Sequence, residues 1–337
     1  MGEKTLARLI AGEKLSGEEI LSLLETDAYD ADITHAAQKT AHAVFGKNIY
    51  LRGLIEISSI CKNDCLYCGL RKSNESAARY RLSEEAILSA AESGYRAGLR
   101  TFVLQGGEDG YFTDARMVGI IQKLKEKYPD AAVTLSLGER SYASYKLLRA
   151  AGADRYLLRH ETATPSHYAR LHPAEMKLSS RVECLQNLKA LGYQVGAGFM
   201  VGSPYQTLEN LMADLLFLQD FRPHMIGIGP FLPQKDTPFG HFPAGSLALT
   251  LKLLSMLRLM HPHALLPATT ALATLSKDGR EKGILAGANV VMPNISPEGV
   301  RGQYAIYDHK AFEKISEVRQ KIETMGYTIL NVRGDYQ

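Results

Sequence analysis

The stretch Ile49-Tyr-Leu-Arg-Gly-Leu-Ile-Glu-Ile57, followed by Cys61-Lys-Asn-Asp-Cys65-Leu-Tyr-Cys68, decides how the rest of the chain is read. Its first part is apolar and β-branched, as a buried strand is. Its second part places three cysteines in a C-x3-C-x2-C pattern. Thiolates bind soft metals, and so short a spacing lets one loop wrap a single iron–sulfur cluster. A closed [4Fe–4S] site takes four cysteines, and this loop supplies three. The remaining cysteine, Cys184, lies far along the chain in an apolar helical pattern. One iron is thereby left for a non-protein ligand. A structural zinc site would want four closed ligands, and no histidine lies near the loop. A disulfide framework needs an oxidising compartment and a better set of partners. A helical stripe of buried cysteines is opposed by Lys62-Asn63-Asp64, which reads as a loop.

Composition narrows the class. The chain has 337 residues, 45% hydrophobic and 22% charged, as expected of a globular protein in one large domain. A formal charge of +3 is too small and too dispersed to point to nucleic acid or to a membrane surface. The start lacks the apolar segment of a signal peptide, and no apolar run reaches the roughly 18 residues of a membrane helix. Free thiolates then predict a reducing, cytoplasmic setting.

Outward from the cysteine loop the text repeats, strand then helix. Strands are predicted at Leu51–Ile57, Thr101–Leu104, Ala132–Leu137, Tyr156–Arg159, Val195–Met200, Met225–Ile228, Leu265–Ala268 and Asn289–Met292. Amphipathic helices lie between them, and Gly94, Gly98, Gly152, Gly192 and Gly287 are read as helix stops before strands. Eight alternations without a change of composition predict one (β/α)8 barrel of the TIM type over residues 49–309. Residues 1–48 are read as a helical cap below it. Residues 310–337 are read as a helix and a short strand packed outside.

Barrel enzymes place their chemistry at the C-terminal ends of the strands. There the sequence offers Gln105-Gly-Gly-Glu108, where paired glycines let backbone approach a ligand. Alternation puts Thr134 and Ser136 on one face, and Arg159 and Glu161 on one face, so the lumen carries a cation and a carboxylate together. Gly198 and Gly202 would suit a base pressed against backbone, or an ordinary barrel turn. His160, His167 and His172 lack partners at metal-ligand spacing and are read as surface or packing residues. Cys184 is read as helix packing.

The cysteine pattern, with Tyr67 before its last member, resembles the signature of the radical S-adenosylmethionine (SAM) superfamily. That resemblance implies a [4Fe–4S] cluster on Cys61, Cys65 and Cys68, with SAM chelating the open iron and being cleaved reductively to methionine and a 5′-deoxyadenosyl radical. It further implies SAM-binding positions at Tyr67, Gly106, Gly107, Glu108, Ser136, Glu161, Arg181 and Met200. Within the superfamily, residues 49 to about 307 resemble the HydE maturases of [FeFe]-hydrogenase. The stretches that carry this include Thr134-Leu-Ser-Leu-Gly-Glu139, Asp154-Arg-Tyr-Leu-Leu-Arg-His-Glu-Thr162, Gly227-Ile-Gly-Pro-Phe231, Pro267-Ala-Thr-Thr270 and Ala288-Asn-Val-Val-Met-Pro-Asn294. The expected substrate is an iron complex bearing CO, cyanide and cysteine, made by a tyrosine-lyase maturase and passed on to a GTPase scaffold. Arg159, Thr134, Thr269, Thr270, Tyr304 and Tyr307 would grip its amino-acid part, with Met225 beside the iron ligands. An electron donor such as ferredoxin or flavodoxin is implied.

The chain departs from some members in having no cysteine after Cys184, so a second cluster near the C-terminus is not expected. The tail Gly299-Val-Arg-Gly-Gln-Tyr-Ala-Ile-Tyr307 also resembles methylornithine synthase, a lysine mutase, which stays open as the alternative activity. Biotin synthase, another relative, needs cysteines that this chain lacks for its second cluster. A non-catalytic zinc-binding or electron-transfer barrel is the alternative of another class.

Overall fold

The run from Asn48 to Ser58 is extended throughout, but its neighbours change at Arg52. A computed structural model describes residues 2–337. Its strands are β1 (Asn48–Leu51), β2 (Gly53–Ser58), β3 (Thr101–Gly106), β4 (Ala132–Ser136), β5 (Arg155–Leu157), β6 (Gln194–Ala197), β7 (Met200–Val201), β8 (Met225–Ile226), β9 (Gly229–Pro230), β10 (Val290–Val291) and β11 (Thr328–Leu330). Six form one parallel sheet in the order β2-β3-β4-β5-β6-β8. Beyond β8 the pairing continues through Met225 with Leu265, Pro267 with Val290, and β10 with β1. Leu54 then pairs with Asn294, which brings the circuit back to β2. The fold is α/β with parallel strands, in the arrangement the repeat predicts.

The first predicted strand is therefore two. Arg52 donates its backbone N–H to Val291 O at 2.9 Å, so the β10 side runs on without a break. The other side changes from β11 to β3. Later strands are shorter than predicted: β6 and β8 stop where Gly198 and Gly227 follow, and the strand predicted at Leu265–Ala268 is reduced to isolated bridges at Leu265 and Pro267. Odd and even positions separate as alternation requires. Ile55, Ile57, Leu104, Val133, Leu135, Tyr156 and Leu158 join the layer between strands and helices. Thr134, Arg155 and Glu56 take the opposite face.

Helices follow the strands and end as read. Gly98, Gly152, Gly192 and Gly287 each take positive φ just past a helix, where a side chain would be strained. Gly94 is different: it lies inside the helix Glu84–Arg96, where an added Cβ would stand 2.7 Å from the Ile295 side chain. It packs a helix closely and stops nothing. Three helices precede β1, at Gly2–Ile10, Gly17–Leu24 and Asp30–Phe45. The second begins with Ser16 and Glu19 in a reciprocal capping box. The tail does more than pack outside. β11 pairs in parallel with β1, and beyond it Asp335 accepts from the buried Arg155 at 2.6 Å and Gly334 O accepts from Arg52 at 3.3 Å. The last residues thus cover the N-terminal end of the lumen.

Candidate active site

β2 ends at Ser58, and the cysteine loop begins three residues later with no regular structure. A salt-linked aspartate holds it. Asp64 accepts from Arg71 Nε and Nη2 at 2.8 Å each, and from Ser73 backbone and hydroxyl at 3.0 and 2.7 Å. Those donors, Arg71 first, hold its carboxyl well below the usual range. Arg79 adds a second staple by donating to the carbonyls of Ser59, Leu70, Arg71 and Asn74 at 2.7–3.0 Å. Sequence reasoning missed both. Asp64 had a signal, since aspartate in a loop gathers nearby N–H groups; Arg79 had none, because its partners are all carbonyls.

Cys61, Cys65 and Cys68 are free, half-buried thiols. Burial pushes the thiols of all three up, Cys68 to about 12, and the neighbouring cysteines add to this at Cys65 and Cys68. Thiols so placed resist ionising unless a positive centre takes the charge, which is what a cluster iron provides. The backbone supports the same use. Glu108 N–H points at Cys61 Sγ at 3.4 Å, and Gly107 lies so close that an added Cβ would meet Ile60 O at 2.2 Å. Among the described residues no three His, Cys, Asp or Glu side chains converge on a single-ion site. Three free thiols within one short loop are a donor set that fits an iron–sulfur cluster.

The remaining expected SAM positions lie around this loop. Gly106 ends β3 and Ser136 ends β4, paired with Gln105. Glu108 ties loop to strand, accepting from Glu139 N–H at 2.9 Å and from Lys62 at 3.1 Å. Tyr67 and Met200 share an apolar cluster with Leu171, Phe231 and Phe239. Glu161 pairs with Arg159 at 2.8 Å and holds φ +66. Arg181 is not on a solvent face: it lies in the first turn of the helix Leu178–Ala190, 7% exposed, 2.8 Å from Glu139.

The three histidines are buried, which removes the surface reading. His172 Nδ1 donates to Tyr168 O at 3.0 Å, so its Nε2 accepts from the Tyr67 hydroxyl at 3.2 Å. Burial pushes its pKa down to about 4, which keeps the ring neutral. His160 and Asp214 pair at 3.2 Å with both side chains fully buried, just behind Glu161. Gly198 and Gly202 also have internal reasons, since an added Cβ would strike Gly227 O and Gly245 Cα. Cys184 packs as expected, 8% exposed.

The expected substrate positions come from several elements. Thr134 Oγ1, Arg159 Nε and Thr269 Oγ1 are buried with no hydrogen-bond partner. Thr269 holds an N-cap position before the helix Thr270–Leu275, yet its hydroxyl caps nothing. Tyr304 is 3% exposed and accepts from Gln105 Nε2 at 3.4 Å; burial pushes the Tyr307 hydroxyl up, with Thr274 and Arg159 acting against it. Met225 is set apart from these groups. It packs with Tyr50, Leu265 and Val290, and its sulfur accepts from Arg52 at 3.0 Å.

Comparison with known proteins agrees with this geometry. The model of the Radical SAM superfamily matches residues 55–218. The [FeFe] hydrogenase maturase subunit HydE of Thermotoga maritima is 40% identical, over 93% of this chain and 95% of that protein. The 3-methylornithine synthase of Methanosarcina barkeri is 30% identical, over 95% of this chain and 91% of that protein. The crystal structure of methylornithine synthase superposes with a TM-score of 0.86 at 29% identity, covering 96% of this chain and 97% of the other. No helix is long and apolar enough to cross a membrane among the described residues.

Proposed function

This chain belongs to the radical SAM superfamily, is a radical SAM enzyme closely similar to the HydE maturase, and on that premise we propose that it acts in assembly of the diiron subcluster of [FeFe]-hydrogenase, on a cysteine-bound Fe(CO)2(CN) complex. Cys61, Cys65 and Cys68 would hold a [4Fe–4S] cluster, leaving its fourth iron to the amino and carboxylate groups of SAM. The chemistry supplied there, when the cluster is bound, is reductive cleavage of SAM to methionine and a 5′-deoxyadenosyl radical. The chain's own residues orient and enclose. Arg181 presents a buried guanidinium fork suited to the methionine carboxylate, steadied by Glu139. Gly106, Gly107, Glu108, Ser136 and Glu161 line the approach, and Tyr67 and Met200 form the apolar wall.

The observation that carries the substrate reading is the set of buried polar atoms without partners. Each costs about 1–3 kcal/mol when left so. Thr134 Oγ1 on β4, Arg159 Nε just past β5 and Thr269 Oγ1 at the head of the helix Thr270–Leu275, all unpaired, argue for a polar ligand that satisfies them. Arg159 takes the cysteine carboxylate. Thr134, Thr269, Thr270, Tyr304 and Tyr307 take the α-amino group and the remaining contacts, while Met225, held with Arg52 and apart from these groups, is left out of the set. The reading places the protein in the cytoplasm, between a tyrosine-lyase maturase and a GTPase scaffold, with a ferredoxin or flavodoxin as electron donor.

Similarity to methylornithine synthase keeps a lysine mutase as the second reading. Lysine would bring a second ammonium, and of the two carboxylates the sequence offers for it, Glu139 is paired with Arg181 and Glu161 with Arg159. The test is infrared spectroscopy of the iron complex mixed with anaerobically reconstituted protein and SAM. Its CO and cyanide bands should shift on binding, and Arg159→Met should abolish the shift. Bands that move equally with both proteins, or with neither, contradict the reading.

A further inference from the structure

The lumen contains a carboxylate that sequence reasoning did not single out. Glu56, fully buried on β2, faces inward on the same side as Leu54 and Ser58, away from Ile55 and Ile57 in the outer layer. Its two oxygens are taken by two different elements. Asn294, past β10, donates to Oε2 at 2.8 Å. Lys310, on the segment that follows Tyr304 and Tyr307, forms an ion pair with Oε1. The Lys310 ammonium also stands 4.8 Å over the Tyr304 ring and 3.5 Å from Tyr304 O, with its side chain 14% exposed. An aromatic face, a carbonyl and a carboxylate make a complete cradle for one alkylammonium. A cleft of about 700 Å³ opens beside it, lined in part by Asn294, Tyr304, Tyr307 and Lys310.

We propose that Lys310 is a specificity determinant: its own ammonium fills the cation cradle at Glu56, so the site accepts an amino-acid substrate with a neutral side chain and rejects one that carries a second ammonium. The proposal rests on the reading of the lumen as an amino-acid site anchored at Arg159. The physical reason for rejection is that a buried charge must be paired. With Lys310 in place, a lysine side chain would put a second cation beside Arg159 and Lys310 and find no free carboxylate. Both Glu56 oxygens are already occupied, Oε1 by Lys310 and Oε2 by Asn294, which leaves no oxygen for a second ammonium. The lysine sits on a segment joining the barrel to the C-terminal helix. Replacing one residue there changes the charge the lumen tolerates without touching a strand.

The experiment measures binding of L-norleucine and of L-lysine to reconstituted holoenzyme with SAM, by anaerobic calorimetry. The unchanged protein should bind norleucine at least ten times more tightly than lysine. Lys310→Met should raise lysine affinity tenfold or more and leave norleucine within threefold. The double variant Lys310→Met with Glu56→Gln should lose that gain, which separates an emptied cradle from a loosened segment. Lysine affinity that is equal in the unchanged protein and Lys310→Met, while norleucine still binds in an Arg159-dependent way, overturns the proposal alone. Failure of both amino acids to bind, or binding indifferent to Arg159→Met, overturns the reading of the lumen and the proposal together.

Discussion

Arg181 carries the clearest consequence at the scale of single residues. A guanidinium 7% exposed, with its Nε unaligned for a hydrogen bond although Glu139 is 2.8 Å away, has donor capacity left over. Arg181→Ala should weaken SAM binding by about 1.5–3 kcal/mol, the usual cost of a charge-assisted hydrogen bond. Equilibrium binding to reconstituted protein checks this, and unchanged affinity would remove the residue from the site. His261 makes a prediction about pH. Burial first, then Arg222 and Arg258, push its pKa from 6.5 to about 4. The unfolded chain then takes the proton first, so this contribution is complete above pH 6.5 and is lost as pH falls toward 4. It amounts to about 3 kcal/mol. Denaturant melts of the apo-protein should show the stability of the natural chain relative to His261→Gln declining by that order from pH 7 to 4; a difference that stays constant contradicts it. Which residues face the lumen was legible from alternation alone at Thr134, Ser136 and Arg159. Glu161 escapes that rule because its φ is +66, and its approach to Arg159 depends on the strand ending there.

At the scale of elements, the cysteine loop is held from outside by groups that no spacing rule marks. Asp64 accepts four hydrogen bonds from Arg71 and Ser73, and Glu108 binds the loop to the end of β4. Asp64→Ala leaves Arg71, with its side chain 12% exposed, without its carboxylate. The expected cost is about 1–3 kcal/mol, discounted because Asp64 is partly open to solvent. Anaerobically reconstituted Asp64→Ala should retain less than half the iron of the unchanged protein after gel filtration; full retention would show that the cysteines need no such support. The sequence announced the loop and its cysteines because thiol spacing is local. It could not announce Arg79, whose partners are all carbonyls, nor Glu56 and Lys310, which lie far apart in the chain and meet only in the folded molecule. Gly94 shows the same limit, since a glycine that permits packing against Ile295 reads like one that ends a helix.

For the whole molecule, the strand–helix repeat was enough to identify the architecture, because each unit is local and its neighbours follow in order. What it left out are the two ends of the chain that close the lumen. The tail reaches Arg155 and Arg52 at one end, and the segment from Tyr304 to Lys310 crosses the other. The molecule so enclosed offers the half-buried Arg159, hydroxyls without partners and a carboxylate paired from within by Lys310, and on the proposed reading that pattern suits a cysteine-bound iron complex better than lysine. The most direct measurement supplies reduced, reconstituted protein and SAM with each of these two substrates in turn, following SAM consumption and product by mass spectrometry. The account predicts SAM consumption that depends on the Fe(CO)2(CN)–cysteine complex and converts it, and no methylornithine from lysine. Methylornithine formed from lysine, with the iron complex left unreacted, would contradict it.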